Sequence, residues 1–276
     1  MLSIRQFTST DVPLGMRLKT QAGWNQLEAD WRRMLDMQPD GCFAAEHAGT
    51  PVGTVMTCIF GDVAWIAMML VDESLRGKGI GRALMEHALR YLDEQGVRAV
   101  RLDATPLGQP LYENLGFVAE YSLARYAGDP VSQGHVAGVT LADVTDHEAI
   151  FALDRSVTQT ERRKLLSRLL NDRQAFVVRE GGLLCGYLLT RAGANATQIG
   201  PCIADDFAGP RLLDLAFAQH AGNPIYIDIP KSHDQAASLA RAQGLMSQRD
   251  LLRMCRGEKL DERVEHLWAS SGPELG

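Results

Sequence analysis

Apolar positions along this chain follow two alternating rhythms, period two and period 3.6, which mark strands and amphipathic helices. Ile4-Arg5-Gln6-Phe7 reads as a first strand. Thr8 to Asp11 offers helix caps, and a short helix entered through Pro13 carries Leu14, Met16 and Leu18. Ala22-Gly23-Trp24-Asn25 breaks that helix. A second helix, from about Gln26 to Met37, sets Leu27, Trp31, Met34 and Leu35 on one side. Strands at 41–46 and 51–60 follow, joined by His47-Ala48-Gly49-Thr50 as a hairpin turn. Trp65 to Val71 is an almost unbroken apolar run, the pattern of a buried strand. Ile80, Leu84, Ala88 and Leu92 then recur at helical spacing, and Gly96 ends that helix after Gln95. A strand at 97–103, a short helix at 111–115 and a closing strand at 117–126 complete the series.

Ala127 to Gly134 reads as a linker rich in Gly, Pro and Ser. The pattern then restarts. A strand at 139–141 leads to a helix capped by Asp143 or Thr145 and running through Ile150 to Leu153. A helix at 161–170, strands at 175–179, 184–189 and 198–204, and a helix at 211–220 come next. A strand at 224–229, a helix at 235–243 and a closing segment at 245–253 end the series. The second half repeats the first element for element. The expectation is a mixed α/β fold in tandem: one domain over 1–127, a second over 135–257, and a tail over 258–276. The tail is charged and polar, with Val264, Leu267 and Trp268 as docking residues, and is expected to be partly disordered.

With 276 residues, 46% of them apolar, the chain can bury one large core or two ordinary ones. A formal net charge of −6 gives no support to nucleic acid or an anionic membrane as partner. No basic start precedes an apolar stretch, and no segment reaches the ~18 uninterrupted apolar residues of a membrane span. The five cysteines are odd in number and without paired spacing. They read as reduced thiols of the cytoplasm, most of them small core residues, and no Cys/His cluster has zinc spacing. No metal is expected.

The charge picture changes locally between the apolar strand and the helix that follows it. Arg76-Gly77-Lys78-Gly79-Ile80-Gly81-Arg82 puts glycines and full positive charges at a helix start, where unpaired N–H groups point outward. Such a turn suits a phosphate. It is not a P-loop, because Gly77-Lys78 is followed by Gly79 rather than Ser or Thr. It is not a dinucleotide fingerprint, because Arg82 stands where the third glycine belongs. What remains, Arg-x-x-Gly-x-Gly, closely resembles the acetyl-CoA pyrophosphate loop of the GNAT N-acetyltransferases. A second motif, Leu111-Tyr112-Glu113-Asn114-Leu115-Gly116-Phe117 after the strand at 97–103, resembles the family's Tyr-x-x-x-Gly-Phe segment at the expected distance. Gly23-Trp24-Asn25 and Leu102-Asp103-Ala104-Thr105-Pro106 resemble a bacterial subgroup of the YitH type, which carries a second, divergent GNAT-like half.

The resemblance implies an N-acetyltransferase that moves an acetyl group from acetyl-CoA, as co-substrate, to a primary amine. It implies that Met69, Leu70 and Val71 pair with the pantetheine, and that Arg76, Gly77, Lys78, Gly79, Ile80, Gly81 and Arg82 bind the pyrophosphate. Tyr112 matches the tyrosine near the cofactor sulfur, a general acid toward the departing thiolate. Trp24 and Asn25 occupy the loop that walls the acceptor pocket. For the base the residues leave Asp103, Glu28, Asp30 or a chain of waters; Asp103 is the pocket residue among them. The acceptor is expected to be a small-molecule amine rather than a protein. A non-catalytic acyl-CoA sensor or scaffold is the rival reading.

The second half departs at the equivalent loop. Asp205 and Asp206 stand where arginine and lysine stand in the first, and aligning Gly244 with Gly116 puts Ala240 in place of Tyr112. The second half is therefore expected to lack a cofactor, and to serve as a wall over the acceptor pocket or as a homodimer surface.

Overall fold

The computed structural model describes residues 1–131, 136–172 and 174–276; part of the linker expected at 127–134 lies outside them. In the first half, β1 (Leu2–Gln6), α1 (Val12–Gln21), α2 (Glu28–Met37), β2 (Cys42–His47), β3 (Thr50–Phe60) and β4 (Val63–Val71) follow in order. Then come α3 (Ile80–Glu94), β5 (Ala99–Ala104), α4 (Gln109–Glu113) and β6 (Val118–Gly128). The second half holds β7 (Val139–Leu141), α5 (His147–Thr158), α6 (Arg163–Asp172), β8 (Ala175–Glu180), β9 (Leu183–Arg191) and β10 (Thr197–Ala204). It continues with α7 (Ala208–Gln219), β11 (Ile225–Pro230), α8 (Asp234–Ala242), β12 (Met246–Gly257) and β13 (Leu267–Ala269). The tandem α/β order expected from the apolar pattern is the one observed. The helix expected to end at Leu153 runs on to Thr158, where Gln159 adopts a left-handed φ of 53° and stops it.

The halves share one mixed sheet. Its order is β1-β2-β3-β4-β5-β12-β6-β11-β10-β9-β8-β7, with β13 beside β10. The closing strands have therefore changed places. β12, from the second half, lies antiparallel between β5 and β6 of the first, with Arg253 opposite Asp103. β6, from the first half, lies beside β11 of the second, with Arg125 opposite Asp228.

Buried charge marks this seam. Arg253 gives both arms of its guanidinium to Asp103 at 2.8 and 2.9 Å. Arg125 grips Asp228 in the same way at 2.8 and 2.7 Å. Arg101 joins Glu120 at 2.7 Å and Glu262 at 2.5 Å, and Arg191 pairs with Asp30 and Glu274. Each of these clusters crosses between the halves. Slipping the register would strand charges in the interior, so such pairs fix pairing more than they add stability. The largest apolar core also spans the junction, packing Trp31 and Met34 of α2 with Leu165 and Leu166 of α6.

The tail corrects an expectation. It is ordered and largely buried: Leu267 and Trp268 are 1% and 0% exposed. Val264, the third expected docking residue, is only partly buried, whereas Leu260 and Leu275 are buried. Two of the tail's charges are consumed internally, since Glu262 and Glu274 are partners of the buried arginines.

Candidate active site

Strands β4 and β5 are parallel, and their ladder is short. It pairs Val63 with Ala99, Ala64 with Val100 and Trp65 with Arg101, and then stops. Beyond Trp65 the register of β4 against β3 shifts, and Met68 takes a φ of 50°, unusual for a side chain of its size. The Thr54 hydroxyl donates to the Met68 carbonyl at 2.8 Å and holds this bulge. The two strands diverge, and a cleft of about 560 Å³ opens between them. Met69, Leu70 and Val71 line it, with main-chain groups that β5 does not reach.

At the open end stands the glycine loop. Gly77 and Gly79 have φ of 76° and 80°, and a Cβ on either would meet nothing within 4 Å. Backbone angle, not space, therefore demands glycine at both. Gly79 is the N-cap of α3 and no side chain caps that helix start, leaving its first amides free toward the cleft. Arg76, Gly77, Gly79, Ile80, Gly81 and Arg82 line the cleft; Lys78 is exposed beside it. Gly79→Glu adds a side chain, backbone strain and a negative charge at this point. It is expected to lower affinity for acetyl-CoA by more than about tenfold while the fold survives, read by calorimetry.

Tyr112 faces the same cleft from α4. Its ring packs edge-on against Phe117, with centroids 6.0 Å apart. Burial pushes its phenol up to about 12. Among the described residues no protein group hydrogen-bonds the hydroxyl, so a neutral O–H donor is available to a ligand.

The other expected site residues separate. Trp24 lines the cleft. Asn25 is buried and latches the halves together: its amide donates to the Ala196 carbonyl at 2.9 Å and its oxygen accepts from Asn195 and Ala196 N–H. Asp103 lines the cleft, yet both its oxygens are held by Arg253 and its side chain is 1% exposed. Glu28 is an exposed partner of Arg32, and Asp30 is buried against Arg33 and Arg191. The structure adds Gln26, Arg249, Leu251, Pro273 and Glu274 to the lining of the cleft. Four of these five come from β12 and the tail. The exchange of closing strands puts them there, and no local motif announces it. No group of three or more His, Cys, Asp or Glu side chains able to hold a metal occurs among the described residues.

Comparison with known proteins bears on both halves. Residues 13–117 match the acetyltransferase (GNAT) family, and residues 150–269 match a second acetyltransferase (GNAT) domain. The chain belongs to the GNAT family. Members use acyl-CoA, and the cleft fits such a ligand: free strand edge along β4, an uncapped helix start among glycines, and a partnerless hydroxyl. The GNAT relatives include the uncharacterized N-acetyltransferase YitH of Bacillus subtilis, 28% identical over 79% of this chain and 78% of that one. Holothin acyltransferase of a Pseudoalteromonas species is 26% identical over 92% of this chain and 87% of its own. Among solved structures, a protein described as a putative acetyltransferase from Pyrococcus horikoshii has the same fold, with a TM-score of 0.88 at 23% identity, covering 100% of this chain and 96% of that one. A tandem GNAT protein of the clavulanic acid biosynthesis pathway gives a TM-score of 0.68 at 15% identity, over 95% and 100% of the two chains.

The second GNAT half repeats the geometry of the first and closes it. β10 and β11 pair in parallel at Thr197–Ile225, Gln198–Tyr226 and Ile199–Ile227, then part. Here the gap is filled by the chain itself. β13 pairs with β10 on one side, and Ser270 N–H donates to the Asp228 carbonyl of β11 at 2.9 Å on the other. Trp268 caps the plug, its indole N–H donating to the Ala204 carbonyl at 3.1 Å. The N–H groups of Phe207 and Ala208, at the start of α7, are taken by the Asp205 carboxylate at 3.0 and 2.8 Å. The tyrosine position is likewise closed. Phe117 N–H donates to the Tyr112 carbonyl at 3.1 Å, and Leu245 N–H donates to the Ala240 carbonyl at 3.1 Å, so Ala240 does stand in place of Tyr112.

Proposed function

We propose that this protein is an acetyl-CoA-dependent N-acetyltransferase acting on a small-molecule amine, with its chemistry confined to the first cleft. The observation that carries the reading is the convergence, in one cleft, of the unpaired β4 edge, the uncapped start of α3 and the partnerless Tyr112 hydroxyl. The relatives named N-acetyltransferase and acyltransferase support the same class of group transfer.

The bound thioester supplies an acyl carbon open to attack and a thiolate leaving group. The protein's own part is positional and electrostatic. Main-chain groups of Met69 to Val71 fix the ligand along β4, and orientation of that kind is a large share of rate enhancement. The α3 amides with Arg76 and Arg82 neutralise phosphate charge at the mouth. Tyr112 donates a hydrogen bond to the sulfur as charge builds on it. A phenol near 12 is a weaker acid than a thiol at about 8.5, so donation without complete proton transfer is the favoured role. The bidentate clamp of Arg253 makes Asp103 a holder of the seam rather than the proton acceptor. Removal of the amine proton then falls to water in the cleft.

The test is release of free CoA thiol from acetyl-CoA in the presence of a set of small amines. Acceptor-dependent release supports the enzyme. Tight acetyl-CoA binding with no release by any amine would leave the sensor reading instead.

A further inference from the structure

The interior of this protein holds several arginines, and Arg33, Arg101, Arg125, Arg162, Arg191 and Arg253 each have a carboxylate partner. Arg249 is different. It is half-buried, it forms no ion pair or hydrogen bond among the described residues, and its Nε is shut away from solvent without a partner. Its two Nη groups are not sealed in this way and likewise have no partner among the described residues, so they are the donors a ligand can satisfy. Arg249 lines the cleft. It lies on β12 in step with Leu251 and Arg253, on the sheet face that carries Asp103. Leu252 and Met254, of opposite parity, pack toward α3. The guanidinium thus lies on the sheet face away from α3, and lines the cleft together with Gln26, Pro273 and Glu274.

Resting on the acetyltransferase reading above, we propose that Arg249 anchors the acceptor, and that the acceptor is an amine bearing a carboxylate, of the amino-acid class. The planar guanidinium fork matches a carboxylate, with two parallel hydrogen bonds. Asp103, Asp228 and Glu274 nearby are already paired, with Arg253, Arg125 and Arg191, so Arg249 is the guanidinium here left for an incoming carboxylate. With the carboxylate held at Arg249, the acceptor's amine extends toward Tyr112, between the side chains of Trp24 and Leu251.

The experiment uses the full chain, acetyl-CoA, and a set of free L-amino acids with their matching carboxamides. For at least one pair, thiol release is expected to show kcat/KM at least about tenfold higher for the carboxylate than for the carboxamide. In Arg249→Gln that ratio should collapse to about one, with acetyl-CoA affinity by calorimetry unchanged. Arg249→Lys, which keeps the charge without the fork, should retain part of it. Equal use of carboxylate and carboxamide throughout, or a ratio that persists in R249Q, overturns the proposal. Loss of acetyl-CoA affinity in R249Q overturns it too, by placing the guanidinium on the donor. If no amine supports thiol release, the acetyltransferase reading fails by itself. The anchor is then read by thermal shift of the CoA-saturated protein: stabilisation by a free amino acid over its carboxamide, abolished by R249Q, sustains it, and no such preference overturns it.

Discussion

Residues 1–131 produced alone are expected not to fold. The reason lies in the sheet order, in which β12 fills the place between β5 and β6. Removing the second half strips β5 of the ladder from Leu252–Ala104 to Gly257–Ala99 and leaves β6 without either neighbour. It also leaves Asp103 without Arg253 and Arg101 without Glu262. Removing one partner of a buried ion pair costs about 3–5 kcal/mol, and a whole domain is stable by only ~5–15 kcal/mol. The apolar faces of α1 and α2 lose α5 and α6 as well. Circular dichroism on heating should show no cooperative transition for the half and a clear one for the full chain. A first half that unfolds cooperatively and binds acetyl-CoA would show that the exchanged strands are dispensable.

Tyr112→Phe should reduce turnover by about 10²–10³-fold, the usual cost of one donor to developing negative charge. The substitution removes an oxygen that has no protein partner, so it orphans nothing and keeps the packing against Phe117. Affinity for acetyl-CoA should stay within about twofold, because the donor matters only once charge builds on sulfur. Single-turnover kinetics beside calorimetry separates the two. Normal turnover in Y112F would reduce the tyrosine to packing; loss of affinity together with rate would make it a ground-state contact.

Much of the first cleft was legible because its parts are local. A glycine loop between an apolar strand and an amphipathic helix, with Tyr112 on the next short helix, declares itself by spacing. The degenerate second loop was legible in the same way, through Asp205 and Asp206. What could not be read was non-local. The pattern at 245–253 marks a strand but not its neighbours, so the exchange with 118–128 stayed hidden. With it stayed hidden the binding of Asp103 by Arg253 and the presence of Arg249 in the cleft. Loop position alone places Asn25 in the pocket, and a buried amide holding Ala196 occupies the same loop position equally well. The tail misled because its charges suggest solvent, whereas Glu262 and Glu274 meet buried guanidinium groups.

If one half of the matched pair binds acyl-CoA while the other is closed by its own chain, calorimetric titration of the full chain with acetyl-CoA should find one molecule bound per chain, and more than about tenfold weaker binding in Gly79→Glu. Two molecules per chain, or binding in G79E as tight as in the parent protein, would contradict it.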